Sequence, residues 1–388
     1  MRRTPSSVTL RSARSSPSPS PTCPSRPPVR RAGSDLPQWL ENQGGWGDRH
    51  TVARFATYAA AVARRLGDRV RTWTTLNEPW CSAFLGHASG VHAPGRHDPE
   101  LAFRAAHHLL LAHGAGVTAL RSVLPARAEV SLTLNLHHVR PATDSPADVE
   151  AARRIDGITN RLFLGPVLGS GYPADVLEDV RDHSRFDVVR DGDLARIAVP
   201  IDSLGINYYN PTTVRADPAA PENPTYPGSA GVAFPRPTGP VTAMGWPVDP
   251  SSLTDLLVRI GTDAPGLPIL VTENGEAYAD HVDDDGRVRD GERSAYLLEH
   301  VRAVHAAIAR GVDVCGYFAW SLLDNFEWSF GYDRRFGLVR VDYATQKRLP
   351  KESFWTYAAL ARAHAVPASG PVTTVADSPD FAHAPTGV

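Results

Sequence analysis

The sequence predicts an α/β fold assembled from βαβ units, and three observations carry that prediction. Apolar residues make up 42% of the 388-residue chain and charged residues 21%, enough material for a buried core. Strand-like runs alternate with helix-like runs, the pattern of a parallel sheet with helical crossovers. No Gly-x-Gly-x-x-Gly follows a strand-like run, so the usual sign of a dinucleotide-binding open sheet is missing. Five such strands suit an open doubly wound sheet or most of a barrel, and periodicity alone does not choose between them.

Taken in order, residues 51–66 (TVARFATYAAAVARRL) place apolar side chains at helical spacing, and Gly67 stops the helix. Residues 70–76 read as a strand that runs into Asn77-Glu78-Pro79. A long helix over 99–123, a second strand over 129–136 and a helix over 147–164 follow. The third strand covers 202–209, and the Pro- and Gly-rich stretch 211–240 reads as a long loop. The remaining elements are a helix over 251–260, a strand over 268–272, a helix over 292–310, a fifth strand over 312–320 and a closing helix over 352–364.

Charge and composition exclude several functions. Forty basic against 42 acidic residues leave a net charge of −2, which argues against nucleic acid as the main partner. No apolar run reaches ~18 residues, so no membrane span is expected. Three scattered cysteines, Cys23, Cys81 and Cys315, are too few for a disulfide framework or a zinc site. These features predict a soluble, cytoplasmic protein without metal or cofactor. The charge is uneven, however. Residues 1–34 hold seven Arg, nine Ser and seven Pro with no acidic residue, so they carry +7 and the remainder carries −9. That segment reads as disordered or aberrant. Residues 35–365 read as the folded domain, and 366–388 as a loose tail.

Two glutamates sit where predicted strands end: Glu78 in Thr75-Leu76-Asn77-Glu78-Pro79 and Glu273 in Val271-Thr272-Glu273-Asn274-Gly275. In an α/β barrel the reactive groups come from these strand ends. Pro79 is expected to keep Glu78 extended, and Gly275 to let the chain turn sharply after Glu273. Either glutamate alone reads as a surface or capping carboxylate. Two at matched strand ends, each beside an asparagine, read as a carboxylate pair of the kind that hydrolyses glycosidic bonds. Residues 320–336 (WSLLDNFEWSFGYDRRF) add Trp320, Phe326, Trp328, Phe330, Tyr332 and Phe336 just after the fifth strand. An aromatic stripe is usually core. The charged residues between Asp324 and Arg335 argue instead for a platform against the apolar faces of a sugar.

With these residues in view, the chain resembles glycoside hydrolase family one, the β-glucosidases. The likeness runs from Asp35-Leu36-Pro37-Gln38 to about residue 365. It includes Gly44-Gly45-Trp46, His92-Ala93-Pro94-Gly95, Ile206-Asn207-Tyr208-Tyr209, both glutamate motifs and the segment from Trp320 to Trp328. The resemblance implies a (β/α)8 TIM barrel and a retaining, two-step mechanism. It makes Glu78 the acid/base and Glu273 the nucleophile. Asn77 would bond the sugar 2-hydroxyl, and Tyr209 would orient the nucleophile. Trp320 would lie beneath the ring, Glu327 and Trp328 would grip the outer hydroxyls, and Phe336 would line the pocket. It also implies a cis Trp320–Ser321 peptide. A carboxylate at Glu327 would repel phosphate, which favours unphosphorylated glycosides.

The resemblance also has a gap. The family's first two strands and the body of its third should precede Asp35, bringing a glutamine, an arginine near the nucleophile and a His-Trp pair, and residues 1–34 show no relation to that pattern. The expectation is therefore an incomplete barrel, with strands 1 to 3 largely missing, that is weakly active or inactive. The substrate class expected is a β-glucoside, galactoside, fucoside or oligosaccharide, a small-molecule partner. A non-catalytic sugar-binding relic and a transglycosylase are the alternatives. Six histidines between His87 and His113 lack acidic partners at metal-ligand spacing and read as solvated or core residues, with no metal. Asp283-Asp284-Asp285-Gly286 reads as a turn, and Cys81 as a packing residue.

Overall fold

The computed structural model describes residues 7–9 and 36–367. They fall into two compact units. Among the described residues, the first is 36–236 with Ala264–Leu270, and the second is 7–9, Pro237–Asp263 and 271–367. Most of the expected N-terminal segment and C-terminal tail, residues 1–6, 10–35 and 368–388, lie outside the described residues.

The first unit is built on three parallel strands, β1 (Thr72–Asn77), β2 (Glu129–Asn135) and β3 (Ser203–Asn207). Thr72 pairs with Glu129, Leu132 with Leu204, and Asn135 with Asn207, so all three strands end on one side. Every residue of β3 is buried, as expected of a parallel strand covered on both faces. Helices α1 (His50–Leu66) and α2 (Pro99–Arg121) cover β1 and β2. Ala59, Ala63, Val117 and Leu120 meet Trp73 and Val130 there, and the alanines let the backbones approach closely. Helix α2 starts where the sequence says it should. Pro99 takes the first position, and the Asp98 carboxylate accepts from Leu101 N at 3.0 Å. Leu109, Leu110 and Leu111 are fully buried along α2, each contributing about 1.5–3 kcal/mol by removal from water.

Two elements differ from expectation in this unit. The helix predicted over 147–164 is α3 (Pro146–Asp156), which continues through a wide π turn at Gly157–Arg161 into Leu162–Val167. The stretch 211–240 is not simply a loop. Thr212–Ala216 pairs with Val139–Pro141 on one side and Val232–Ala233 on the other. Val214 and Val232 bury against Ala151 and Ile155 of α3, a packing gain that the surrounding Pro and Gly conceal in the sequence.

Leu204 of β3 donates to Pro268 O at 2.9 Å, where the chain enters β4 (Ile269–Asn274). The boundary between the units falls inside β4, after Leu270. In the second unit, α4 (Pro250–Asp263), α5 (Gly291–Ala309), β5 (Val314–Ala319) and α6 (Glu352–Ala363) follow the predicted order. Thr254 Oγ1 donates to Ala303 O at 2.9 Å and ties α4 to α5. Leu298, Val301, Leu360 and Val366 form the local core against Tyr317. Val339–Val341 and Arg348–Pro350 form a hairpin that the sequence reading missed. Ala365–Pro367, at the start of the expected tail, pairs antiparallel with Ser7–Thr9. Among the described residues no helix is long and apolar enough to cross a membrane.

Candidate active site

In the first unit, the residues singled out by sequence gather where β1 and β3 end. Glu78 extends the ladder by one bond, from its N–H to Thr133 O at 3.0 Å. The chain then turns. Glu78 has φ of 50°, a left-handed conformation uncommon outside glycine, and its carbonyl accepts from Cys81 N and Ser82 N at the head of the helix Cys81–Ala88. The expectation that Pro79 keeps Glu78 extended is therefore corrected. Pro79 disfavours the right-handed helical region, but the abrupt strand-to-helix turn selects the left-handed one.

The Glu78 carboxylate has two side-chain partners. Asn207 Nδ2 donates to its Oε1 at 2.6 Å and to Asn77 Oδ1 at 3.0 Å. Cys81 Sγ donates to its Oε2 at 3.4 Å. Cys81 is thus more than the packing residue expected of it, because the first helical turn brings its thiol back onto Glu78. The Asn77 carbonyl oxygen is thus taken by Asn207. Tyr209 is half-buried two residues beyond β3. Asn207 lies in the Ile206-Asn207-Tyr208-Tyr209 motif, but that motif does not disclose its hold on Glu78. Its partners are 129 and 130 positions away, and no local pattern announces them.

In the second unit, Glu273 is the fifth of six buried residues in β4, with 4% of its surface exposed. Its neighbour Asn274 is clamped. Tyr317 Oη donates to Asn274 Oδ1 at 2.7 Å, and Asn274 Nδ2 donates to Tyr296 Oη at 2.9 Å. Trp320 N donates to Asn274 O at 2.9 Å. Gly275 is needed for a different reason than expected. Its φ is not positive; a Cβ there would collide with the Trp320 carbonyl. The Trp320–Ser321 peptide is cis, as the resemblance implies.

The loop after β5 separates its aromatics. Trp320 is half-buried, Phe336 is buried with its ring 6.1 Å from Trp246, and Trp328 is exposed. Glu327 is half-buried in a tight turn closed by its N–H to Gly331 O at 2.6 Å. Not every charged residue here stays out of the core, as Asp324 shows. It is buried, and it accepts from Lys351 Nζ at 3.0 Å, Arg335 at 2.5 Å and Gly337 N at 3.0 Å. Lys351 also pairs with Asp280, which pairs with Arg293, so these charges are compensated where they are buried. Glu276, three residues beyond Glu273, is fully buried, and burial pushes its carboxyl up to about 9. The sequence reading did not single it out.

The histidines of α2 are structural. His107, His108 and His113 are buried, and His108 Nδ1 contacts Trp46 O at 2.9 Å. Burial lowers His108 and His113 to about 4. At 283–286 the chain makes a turn, with Gly286 N bonded to Asp283 O at 2.8 Å.

The comparisons decide the family. The model of glycosyl hydrolase family 1 matches residues 32–366. The chain belongs to glycosyl hydrolase family 1. It is a glycoside hydrolase, and membership implies the (β/α)8 barrel, in agreement with the parallel strands and alternating helices. A bifunctional β-D-glucosidase/β-D-fucosidase of Bifidobacterium breve is 47% identical over 336 residues, covering 83% of this chain and 72% of that protein. A thermostable β-glucosidase B of Thermobispora bispora is 49% identical over 330 residues, covering 84% and 66% respectively. Among solved structures, a family 1 β-glucosidase of Thermotoga maritima is 39% identical with a TM-score of 0.81, covering 86% of this chain and 73% of that one. This family 1 chain therefore spans about two thirds to three quarters of the length of these relatives.

Proposed function

We propose that the chain hydrolyses terminal non-reducing β-D-glucosyl residues, with β-fucosides and β-galactosides as further substrates, by a retaining double displacement. The observation that carries this reading is the pair of family glutamates at the C-terminal ends of β1 and β4. In the first step Glu273 attacks the anomeric carbon while Glu78 gives its proton to the departing oxygen. In the second, water attacks the glycosyl ester, Glu78 takes its proton, and Glu273 leaves as a carboxylate. This route requires the carboxyls to stand about 5–5.5 Å apart. Asn77 is assigned to the 2-hydroxyl, Tyr209 to Glu273, Trp320 to the ring face, Glu327 and Trp328 to the outer hydroxyls, and Phe336 to the pocket wall. The glucosidase and fucosidase activities named for the relatives support the substrate class.

We also propose reduced turnover for the 388-residue chain, because residues 1–34 show no relation to the family's glutamine, arginine and His-Trp pattern. Kinetics on an aryl β-glucoside, with the anomer of the released sugar followed by NMR, test the reading. Slow release of β-glucose is expected. Release of α-glucose would contradict retention, glucose binding without turnover would make the chain a sugar-binding relic, and transfer to an added alcohol in place of water would make it a transglycosylase.

A further inference from the structure

Glu78 is held at both carboxyl oxygens by side chains of its own unit, and the two grips differ in strength. The bond from Asn207 to Oε1 is short and charge-assisted, and both amide hydrogens of Asn207 are committed, one to Glu78 and one to Asn77. The bond to Oε2 comes from a thiol, a weak donor. A strong donor on Oε1 keeps that oxygen an acceptor, whereas a weak one on Oε2 leaves it able to carry a proton.

We propose that Cys81 is a positioning residue of the reaction, holding the Glu78 carboxyl in the rotamer in which Oε2 delivers and recovers the catalytic proton. The inference rests on the acid/base reading of Glu78. In the first step the proton on Oε2 moves to the glycosidic oxygen as the C1–O bond breaks and the bond from Glu273 to C1 forms. In the second, a proton of the attacking water returns to Oε2 as the C1–Glu273 ester breaks. The thiol is neither oxidised nor deprotonated in either step.

The surroundings in this unit suit that role. Burial pushes the Cys81 thiol well above its ordinary value, and the charge of Glu78 adds to the shift, so the group remains a donor. Trp80, between Glu78 and Cys81 in sequence, packs with ring centroids 5.5 Å from Tyr226 and 5.6 Å from His137. Burial holds Tyr226 protonated and lowers His137 to about 4, so neither brings a charge to the pair at neutral pH. The helical turn that carries Cys81 is fixed by the bonds from Cys81 N and Ser82 N to Glu78 O.

The test compares phenyl β-D-glucoside, whose leaving group needs a proton, with 2,4-dinitrophenyl β-D-glucoside, whose leaving group does not. In Cys81→Ala, kcat/KM should fall about tenfold on the phenyl substrate and less than about twofold on the dinitrophenyl one, with Cys81→Ser restoring most of the loss. An equal fall on both substrates, or no fall on the phenyl one, would overturn the proposal. Glu78→Ala is the control for the reading beneath it. Its loss must be concentrated on the phenyl substrate, and an equal loss on both would sink the acid/base assignment whatever Cys81 does. A second readout needs no turnover. Iodoacetamide alkylation mapped by peptide mass should quicken about tenfold at Cys81 in Glu78→Gln, as the neighbouring negative charge is removed, and stay constant at Cys315. An unchanged Cys81 rate would overturn the contact itself.

Discussion

The two glutamates stand on matched strand ends but in unlike settings. Glu78 is half-buried, in a left-handed backbone conformation, and its carboxylate is held by an amide and a thiol. Glu273 is buried in a strand that is buried throughout, and it is its neighbour Asn274 that two tyrosine hydroxyls pin in place. The contrast fits a division of labour. A carboxyl that trades protons with a leaving group and with water must be reachable, with its orientation set by replaceable side-chain bonds. A carboxylate that forms a bond to carbon gains from a backbone that does not move.

The sharpest way to break this contrast is to remove each carboxyl in turn. With Glu273 as the proposed nucleophile, Glu273→Ala should lower kcat by about 10⁴-fold or more on every glucoside. Steady-state assays on activated and unactivated substrates would check this. Glu78→Ala should cost about 10²–10⁴-fold on substrates with poor leaving groups, and added azide should recover turnover on activated ones by replacing water at the second step. A Glu78 variant that azide does not help would make the two sites equivalent.

Smaller effects concern support. Asn274→Ala removes the group between the Tyr296 and Tyr317 hydroxyls, and should lower unfolding stability by about 1–3 kcal/mol in a denaturant titration. An unchanged midpoint would deny the clamp. The Glu276 carboxyl is raised in the folded state, so its contribution to stability is fully present below its unfolded value near 4.5 and is lost as pH rises toward about 9. Glu276→Gln should therefore gain thermal stability relative to the parent as pH goes from 5 to 8, by about 2–4 °C for each kcal/mol recovered. A difference in Tm that does not vary with pH would refute it.

How much of this was legible beforehand depended on whether the cause was local. The five strands, the long helices and both glutamates are written in short windows: an apolar period, an Asp-Pro start at α2, a strand running into Asn-Glu-Pro. The grip on Glu78 is not, because Asn207 reaches it from a strand more than a hundred residues later. Asp324 shows the same limit in reverse. Its charge implied exposure, but Lys351 and Arg335 compensate it inside the fold. Pro79 shows that a local rule can name what is forbidden without naming what is chosen, since the turn into the next helix placed Glu78 at φ of 50°. Gly275 was expected to allow a sharp turn, whereas close approach to the Trp320 carbonyl is what demands it.

The central claim is that Glu273 bonds to the sugar. Incubating the chain with 2,4-dinitrophenyl 2-deoxy-2-fluoro-β-D-glucoside, which forms the glycosyl ester readily and hydrolyses it slowly, and mapping the label by peptide mass tests it directly. The account predicts one fluoroglucosyl group per chain, on the peptide bearing Glu273 and absent from Glu273→Gln. A label on any other residue, or a Glu273→Gln chain labelled as fast as the parent, would contradict it.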